Sequence, residues 1–156
     1  MAHSQPFMGT KLQTLQGLPA GLFAGAGMAF VFSLGSALFG PGVLRLWQTA
    51  AGTFMGSAAT TGSAGVLVGL VIHVIVSLLL GLLYATSMDR LERRDTLVVS
   101  LFYGFTIWVV FSFIIGGWIN REMVSLSRTW WGLIAYLVFG LLLGVWANLR
   151  GRPAVR

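Results

Sequence analysis

A single ionisable side chain in this sequence stands deep inside an apolar run. It is His73, in GLVIHVIVSLLLG. Placing such a group in hydrocarbon is costly, so it is a functional candidate by default. Two chemistries follow. A neutral imidazole can bond across helices, for example to Tyr136, Ser112 or Thr106. It can also serve as an axial ligand to haem iron or chlorophyll magnesium, with Gly69, one turn earlier on the same face, leaving room for a flat macrocycle. At 1.5 Å per residue, His73 lies about 12 Å from the start of its run. The other histidine is His3, near the N-terminus, so a paired-histidine haem site within the chain has no second ligand.

The remaining chemical groups sit elsewhere. Asp89, Glu92, Asp95 and Glu122 are the only acids, and all fall between apolar runs; none of the nine arginines nor Lys11 lies inside a run. Paired-carboxylate acid–base catalysis has no partners within a run. A Ser–His–Asp arrangement lacks an acid that reaches His73. Ion-coupled transport usually needs an ionisable pair at depth. With no cysteine there is no disulfide or thiolate centre, and two histidines do not make a zinc site. The chain is therefore expected to be no enzyme and to hold no metal.

The elements that must position His73 follow from composition. Of 156 residues, 56% are hydrophobic and 9% charged, with a mean hydropathy of +0.85. Soluble domains carry about 25% charged residues, and disorder needs low hydrophobicity with high net charge. Four runs suffice to cross about 30 Å of hydrocarbon as helices: Gly17–Phe39, Gly65–Ala85, Thr96–Ile119 and Trp130–Leu149. Residues 1–16 are polar with Lys11 their only Lys or Arg, and the run that follows is too long for a cleaved leader. It is expected to be a retained first span.

Charge sets orientation. Lys11, Arg90, Arg93, Arg94, Arg150, Arg152 and Arg156 flank one side, and Arg45, Arg121 and Arg128 the other. Seven against three favours both termini in the cytoplasm. Trp118, Trp130 and Trp131 then fall at the outer interface, and Tyr84, Tyr103 and Trp146 towards the inner one. The net charge of +6 reflects these flanks, which meet lipid headgroups, rather than a nucleic-acid surface. In the inner loop SMDRLERRDT, Asp95 is placed to cap the third helix. In the first outer loop, Pro41 and Gly42 stop the first helix, and Val43–Ser57, with few breakers, reads as a short helix either lying on the outer surface or dipping partly in, the surface placement being preferred.

GLVIHVIVSLLLG from Gly69 aligns with GLIAYLVFGLLLG from Gly132, and FAGAGMAFVFS from Phe23 with FYGFTIWVVFS from Phe102. The two matches in consistent order point to a duplicated hairpin with parallel halves. Small residues recur every fourth position: Gly17, Gly21 and Gly25; Gly65, Gly69, Ser77 and Gly81; Gly104, Ser112 and Gly116; Gly132, Gly140 and Gly144. Such stripes let helix backbones approach, which lipid does not otherwise promote. They exceed what four helices can turn inward, so some are expected to face other chains.

The second span VGLVIHVIVSLLLGLLYA, the fourth span WWGLIAYLVFGLLLGVWA and the loop around RLWQTAAGTFMG resemble an uncharacterised family of small bacterial four-span inner-membrane proteins. Some of that family are labelled sodium/proline symporters. The family carries a histidine in both even-numbered spans, and here the second position is Tyr136. The resemblance covers most of the chain and implies architecture rather than activity.

The expected fold is an all-α membrane protein. It is a single domain over residues 1–156, a four-transmembrane-helix bundle of two tandem hairpins. The expected setting is a bacterial cytoplasmic membrane, with lipids and other membrane subunits as partners. The first functional expectation is a non-catalytic accessory subunit of a larger complex, respiratory or photosynthetic electron transfer being the guess. A second is a small channel or uncoupled transporter formed by oligomers, lined by Ser77, Ser112, Thr106 and His73. A third is a haem- or chlorophyll-binding subunit using His73.

Overall fold

Apolar segments of this length have no water to satisfy their backbone, so intrahelical bonding dominates them. The structure, a computed structural model, describes residues 15–56, 62–87 and 95–149, and among them there is no strand. Six helices follow in order: α1 (Gly17–Phe39), α2 (Val43–Met55), α3 (Gly62–Ser87), α4 (Thr96–Ile119), α5 (Arg121–Ser127) and α6 (Trp130–Leu149). Four of them, α1, α3, α4 and α6, are long and apolar enough to cross a membrane. The chain is thus built as an integral membrane protein of all-α class. Three spans have the expected limits. The second is longer at both ends, because Gly62, Ser63 and Ala64 continue the helix although their hydropathy is low. Seven of the ten basic residues used to orient the chain, Lys11, Arg90, Arg93, Arg94, Arg150, Arg152 and Arg156, lie outside the described residues, as do Asp89 and Glu92.

The spans form two hairpins, α1 with α3 and α4 with α6, and α1 also packs along α6. Each hairpin closes on glycine. A Cβ at Gly21 would fall on the Ser77 carbonyl and 3.0 Å from the Gly81 Cα; one at Gly17 would lie 2.8 Å from the Ala85 Cβ. In the other hairpin a Cβ at Gly104 would fall on the Tyr136 carbonyl, and one at Gly140 on the Ser100 carbonyl. Between the hairpins, Gly35 receives the indole of Trp131. Trp131, placed by sequence at an interface, is instead buried there, edge-on to Phe32 with ring centres 5.4 Å apart. Trp118 and Trp130 are exposed.

The helices α3 and α4 are consecutive spans, yet they are not among the closely packed pairs. Tyrosines bridge them. The Tyr103 hydroxyl donates to the Leu80 carbonyl at 2.7 Å, and the Tyr84 and Ser100 hydroxyls pair at 2.6 Å. The bundle is therefore an arc, α3–α1–α6–α4, whose two ends meet through side chains.

The short helix α2 is packed into the bundle rather than laid on its surface. It follows a tight turn in which Gly42 adopts a φ of +98° and its carbonyl accepts from the Ser36 hydroxyl at 2.9 Å. Leu46, Trp47, Ala50 and Ala51 form one helical face and are buried. The backbone of Trp47 rests on Gly69, where a Cβ would collide with it. On its other flank α2 is clasped by the start of α5. Arg45 meets Glu122 in a bidentate pair at 2.9 and 3.1 Å. The Asn120 amide donates to the Thr49 carbonyl at 2.9 Å. The Thr49 hydroxyl is buried with no hydrogen-bond partner among the described residues. An unmet buried hydroxyl costs about 1–3 kcal/mol, so Thr49→Val is expected to leave the thermal midpoint unchanged or raise it by a few degrees. A fall would show that the hydroxyl is used.

Within α4, Val110–Ile115 widens into a π-helical turn. The Gly116 N–H bonds to the Phe111 carbonyl, five residues back. The Ser112 carbonyl, its usual partner four residues back, accepts two bonds from the Arg128 guanidinium at 2.9 and 2.7 Å. Arg128 also lies over the Phe113 ring at 4.8 Å.

Candidate functional site

His73 stands three turns into α3, about 16 Å from Gly62 at 1.5 Å per residue. Its Nε2 lies 2.9 Å from the Gly25 carbonyl and 3.5 Å from the Ser77 hydroxyl. A carbonyl only accepts, so Nε2 carries the proton, and the neutral ring keeps Nδ1 as a bare acceptor. The expected partners Tyr136, Ser112 and Thr106 are not used. Ser112 pairs with Ser127 at 2.8 Å, and Thr106 bonds back to Phe102 on an exposed face. The reason is local: a glycine on the facing helix leaves its own carbonyl within reach of the imidazole.

The room that the haem or chlorophyll reading expects beside Gly69 is filled. Nε2 is engaged, and the space beside Gly69 is taken by the Trp47 backbone, with the Trp47 ring edge-on to His73 at 5.4 Å.

His73 forms part of the wall of a cavity of ≈ 210 Å³ at the unclosed end of the arc. Ile72, Val76 and Leu80 of α3 line one side, and Ile107, Phe111 and Ile119 of α4 the other. Met28 and Phe32 of α1, with Tyr136 and Phe139 of α6, form the back. The roof is Leu46, Trp47, Ala50, Thr53 and Phe54 of α2, with Met123 of α5. Val76 and Phe54 are also exposed on the outside of the bundle, so the cavity is reached from the side. Its lining is almost wholly apolar, the polar exceptions being His73, Ser77, Thr53 and Tyr136.

The cavity follows from the packing. Sequential spans α3 and α4 are held apart by bulky side chains, while glycine seams draw each towards its hairpin partner. The helix α2 then covers the opening and is fixed by Asn120. The Asn120 side chain caps α5 through the Glu122 and Met123 N–H groups at 3.0 and 3.2 Å. Sequence reading missed Asn120, Trp47 and the ring of cavity residues. The signal for α2 was present: Leu46, Trp47, Ala50 and Ala51 repeat at helical spacing.

The stripe residues divide by what they touch. Gly17, Gly21, Gly25, Ser77 and Gly81 form the α1–α3 seam, and Gly104, Gly140 and Gly144 the α4–α6 seam. Gly69 seats α2, and Gly65 is buried. Gly116 packs on the Phe111 carbonyl and Val124, and Gly132 on the carbonyls of Leu126 and Ser127, so both serve turns rather than span contacts. Ser112 belongs to the π-helical turn. The small faces are thus taken up inside the chain, largely because α2 occupies one of them. Asp95 does precede α4, but its side chain makes no capping bond. Of the groups expected to line a channel, His73 and Ser77 share the cavity, Ser112 is buried against Ser127, and Thr106 faces outward.

No protein-family model, curated protein or solved structure matches the chain.

Proposed function

We propose that this chain is a non-catalytic binding protein of the bacterial cytoplasmic membrane. It holds one small, mostly apolar molecule in the cavity between its second and third spans. It would serve a larger membrane assembly by holding that molecule rather than by catalysis or conduction. The Lys and Arg count favours both termini in the cytoplasm, with α2 then on the outer side.

The observation that carries this reading is the apolar cavity itself, ≈ 210 Å³ and open to the side of the bundle. A dry protein cavity of about 150 Å³ already takes up benzene. Molecules concentrated in hydrocarbon would reach this one without crossing water. Binding sites of this kind are concave and mostly apolar, with a few polar groups that orient the guest. The polar side chains here do not line one path through the bundle, which favours binding over a single-chain channel.

The test is thermal unfolding of the full chain in lipid nanodiscs with para-xylene as probe. At free probe tenfold above its dissociation constant, linkage adds about 1.4 kcal/mol. That should raise the midpoint by about 3–5 °C for a chain of this size. Ala50→Leu extends a side chain from the roof into the cavity and should abolish the shift while leaving the protein folded. Equal shifts in both proteins, or none in the wild type, would remove the proposal.

A further inference from the structure

Tyr136 lines the cavity and is only 5% exposed; its hydroxyl makes no hydrogen bond among the described residues and is not one of the fully enclosed unpaired atoms, as expected of a group bordering open space. Buried phenols usually find a partner, because an unmet polar group in a low-dielectric interior is costly. The neighbouring contacts of Tyr136 are rings: Phe32 with centres 6.0 Å apart and Phe111 at 6.3 Å. On the same cavity wall His73 keeps its Nδ1 as an acceptor, since Nε2 is committed to the Gly25 carbonyl. The cavity therefore offers aromatic faces, the Tyr136 hydroxyl, the hydroxyls of Thr53 and Ser77, which already contact Asn120 and His73, and the His73 imidazole.

We infer that the occupant is a single flat ring bearing a carbonyl or hydroxyl oxygen, of the quinone or phenol class, bonded through that oxygen to the Tyr136 hydroxyl. This rests on the binding function proposed above and specifies its ligand. The aromatic walls favour a ring over a saturated chain, because offset and edge-on ring contacts add to area burial. The volume, somewhat above that of a benzene-binding cavity, suits one ring with small substituents. The lateral opening past Val76 and Phe54 lets an apolar tail on that ring extend into lipid. Two sources share this chemistry: the head of a tailed membrane quinone, and a free phenol.

The experiment compares two probes of matched outline, para-benzoquinone and para-xylene, against wild type and Tyr136→Phe in nanodiscs. The chain has no cysteine, so thiol addition to the quinone does not interfere. The wild type should bind para-benzoquinone more tightly than para-xylene after correction for partition into lipid. Tyr136→Phe should weaken the quinone about fivefold, the scale of one lost neutral hydrogen bond, and leave para-xylene unchanged. Without probe, the variant should be at least as heat-stable as the wild type, because the hydroxyl it loses has no hydrogen-bond partner among the described residues.

If para-xylene binds but para-benzoquinone binds no better, or Tyr136→Phe changes neither, the ligand class is wrong and the binding function stands. If neither probe binds the folded wild type, both fail. Mass spectrometry of the small molecule released from protein purified out of native membranes separates the sources. A ring with a long apolar tail identifies the membrane quinone, and a ring without one the free phenol. A saturated lipid alone overturns the inference.

Discussion

Replacing Gly140 with leucine is expected to destabilise the bundle by at least about 3 kcal/mol, the upper end of ordinary overpacking. A Cβ there would fall on the Ser100 carbonyl, with the Gly104 N and Cα at 3.0 and 3.1 Å. These are backbone atoms and cannot swing aside, so α4 and α6 must separate. Leucine gains about 0.8–1 kcal/mol of helix propensity over glycine, which is too little to offset the collision. The opposite sign is expected at Gly117, where a Cβ meets nothing within 4 Å. Gly117→Ala should stabilise the protein slightly, by the roughly 0.5–1 kcal/mol that separates glycine from alanine in a helix. Thermal midpoints of the two variants in one detergent check the pair. A tolerated Gly140→Leu would mean that the α4–α6 seam is wider than described.

The second large effect is expected at Asn120. Its carbonyl oxygen caps α5, and its amide holds the Thr49 carbonyl at 2.9 Å and the Thr53 hydroxyl at 3.4 Å. Losing a helix cap costs about 0.5–2 kcal/mol and losing a hydrogen bond to a buried carbonyl about 1 kcal/mol. Asn120→Ala should therefore lower stability by about 2–3 kcal/mol and loosen α2 over the cavity. Asn120→Asp keeps the cap and loses the amide donors, so it should lose less stability and still loosen α2. Amide hydrogen exchange across α2 reads that loosening directly. Slow exchange there in both variants would show that the buried face of α2, not Asn120, holds the roof. The Arg45–Glu122 pair is a weaker clasp, since both side chains are about 40% exposed and such pairs are worth about 1 kcal/mol or less.

The spans were legible because hydrophobic length is decisive in a membrane protein: Gly17–Phe39, Thr96–Ile119 and Trp130–Leu149 appear where hydropathy put them. The glycine positions were legible as places of close approach, but not their assignment. Period-four spacing marks a face without saying whether Gly69 meets a span, a short helix or another chain. The placement of α2 was missed because the segment was read from its lack of breakers rather than from the apolar face of its thirteen-residue helix. The π-helical turn carries no composition signal beyond Gly116 and Gly117, which also occur in regular helices. The cavity was not legible at all. It exists because α3 and α4 fail to pack closely, and the absence of a contact leaves no pattern in a sequence. For the same reason Tyr136 stood out in the sequence only as a possible partner of His73, when its ring lines the back of the cavity and its hydroxyl makes no hydrogen bond among the described residues.

The most direct measurement is mass spectrometry of the protein extracted from native membranes in mild detergent, wild type beside Ala50→Leu, with bound small molecules and co-purifying chains both identified. The wild type should release one apolar small molecule per chain, and Ala50→Leu should have lost it while purifying with the same companions. Identical bound lipid in the two proteins, or an empty wild type, would contradict a ligand-binding cavity.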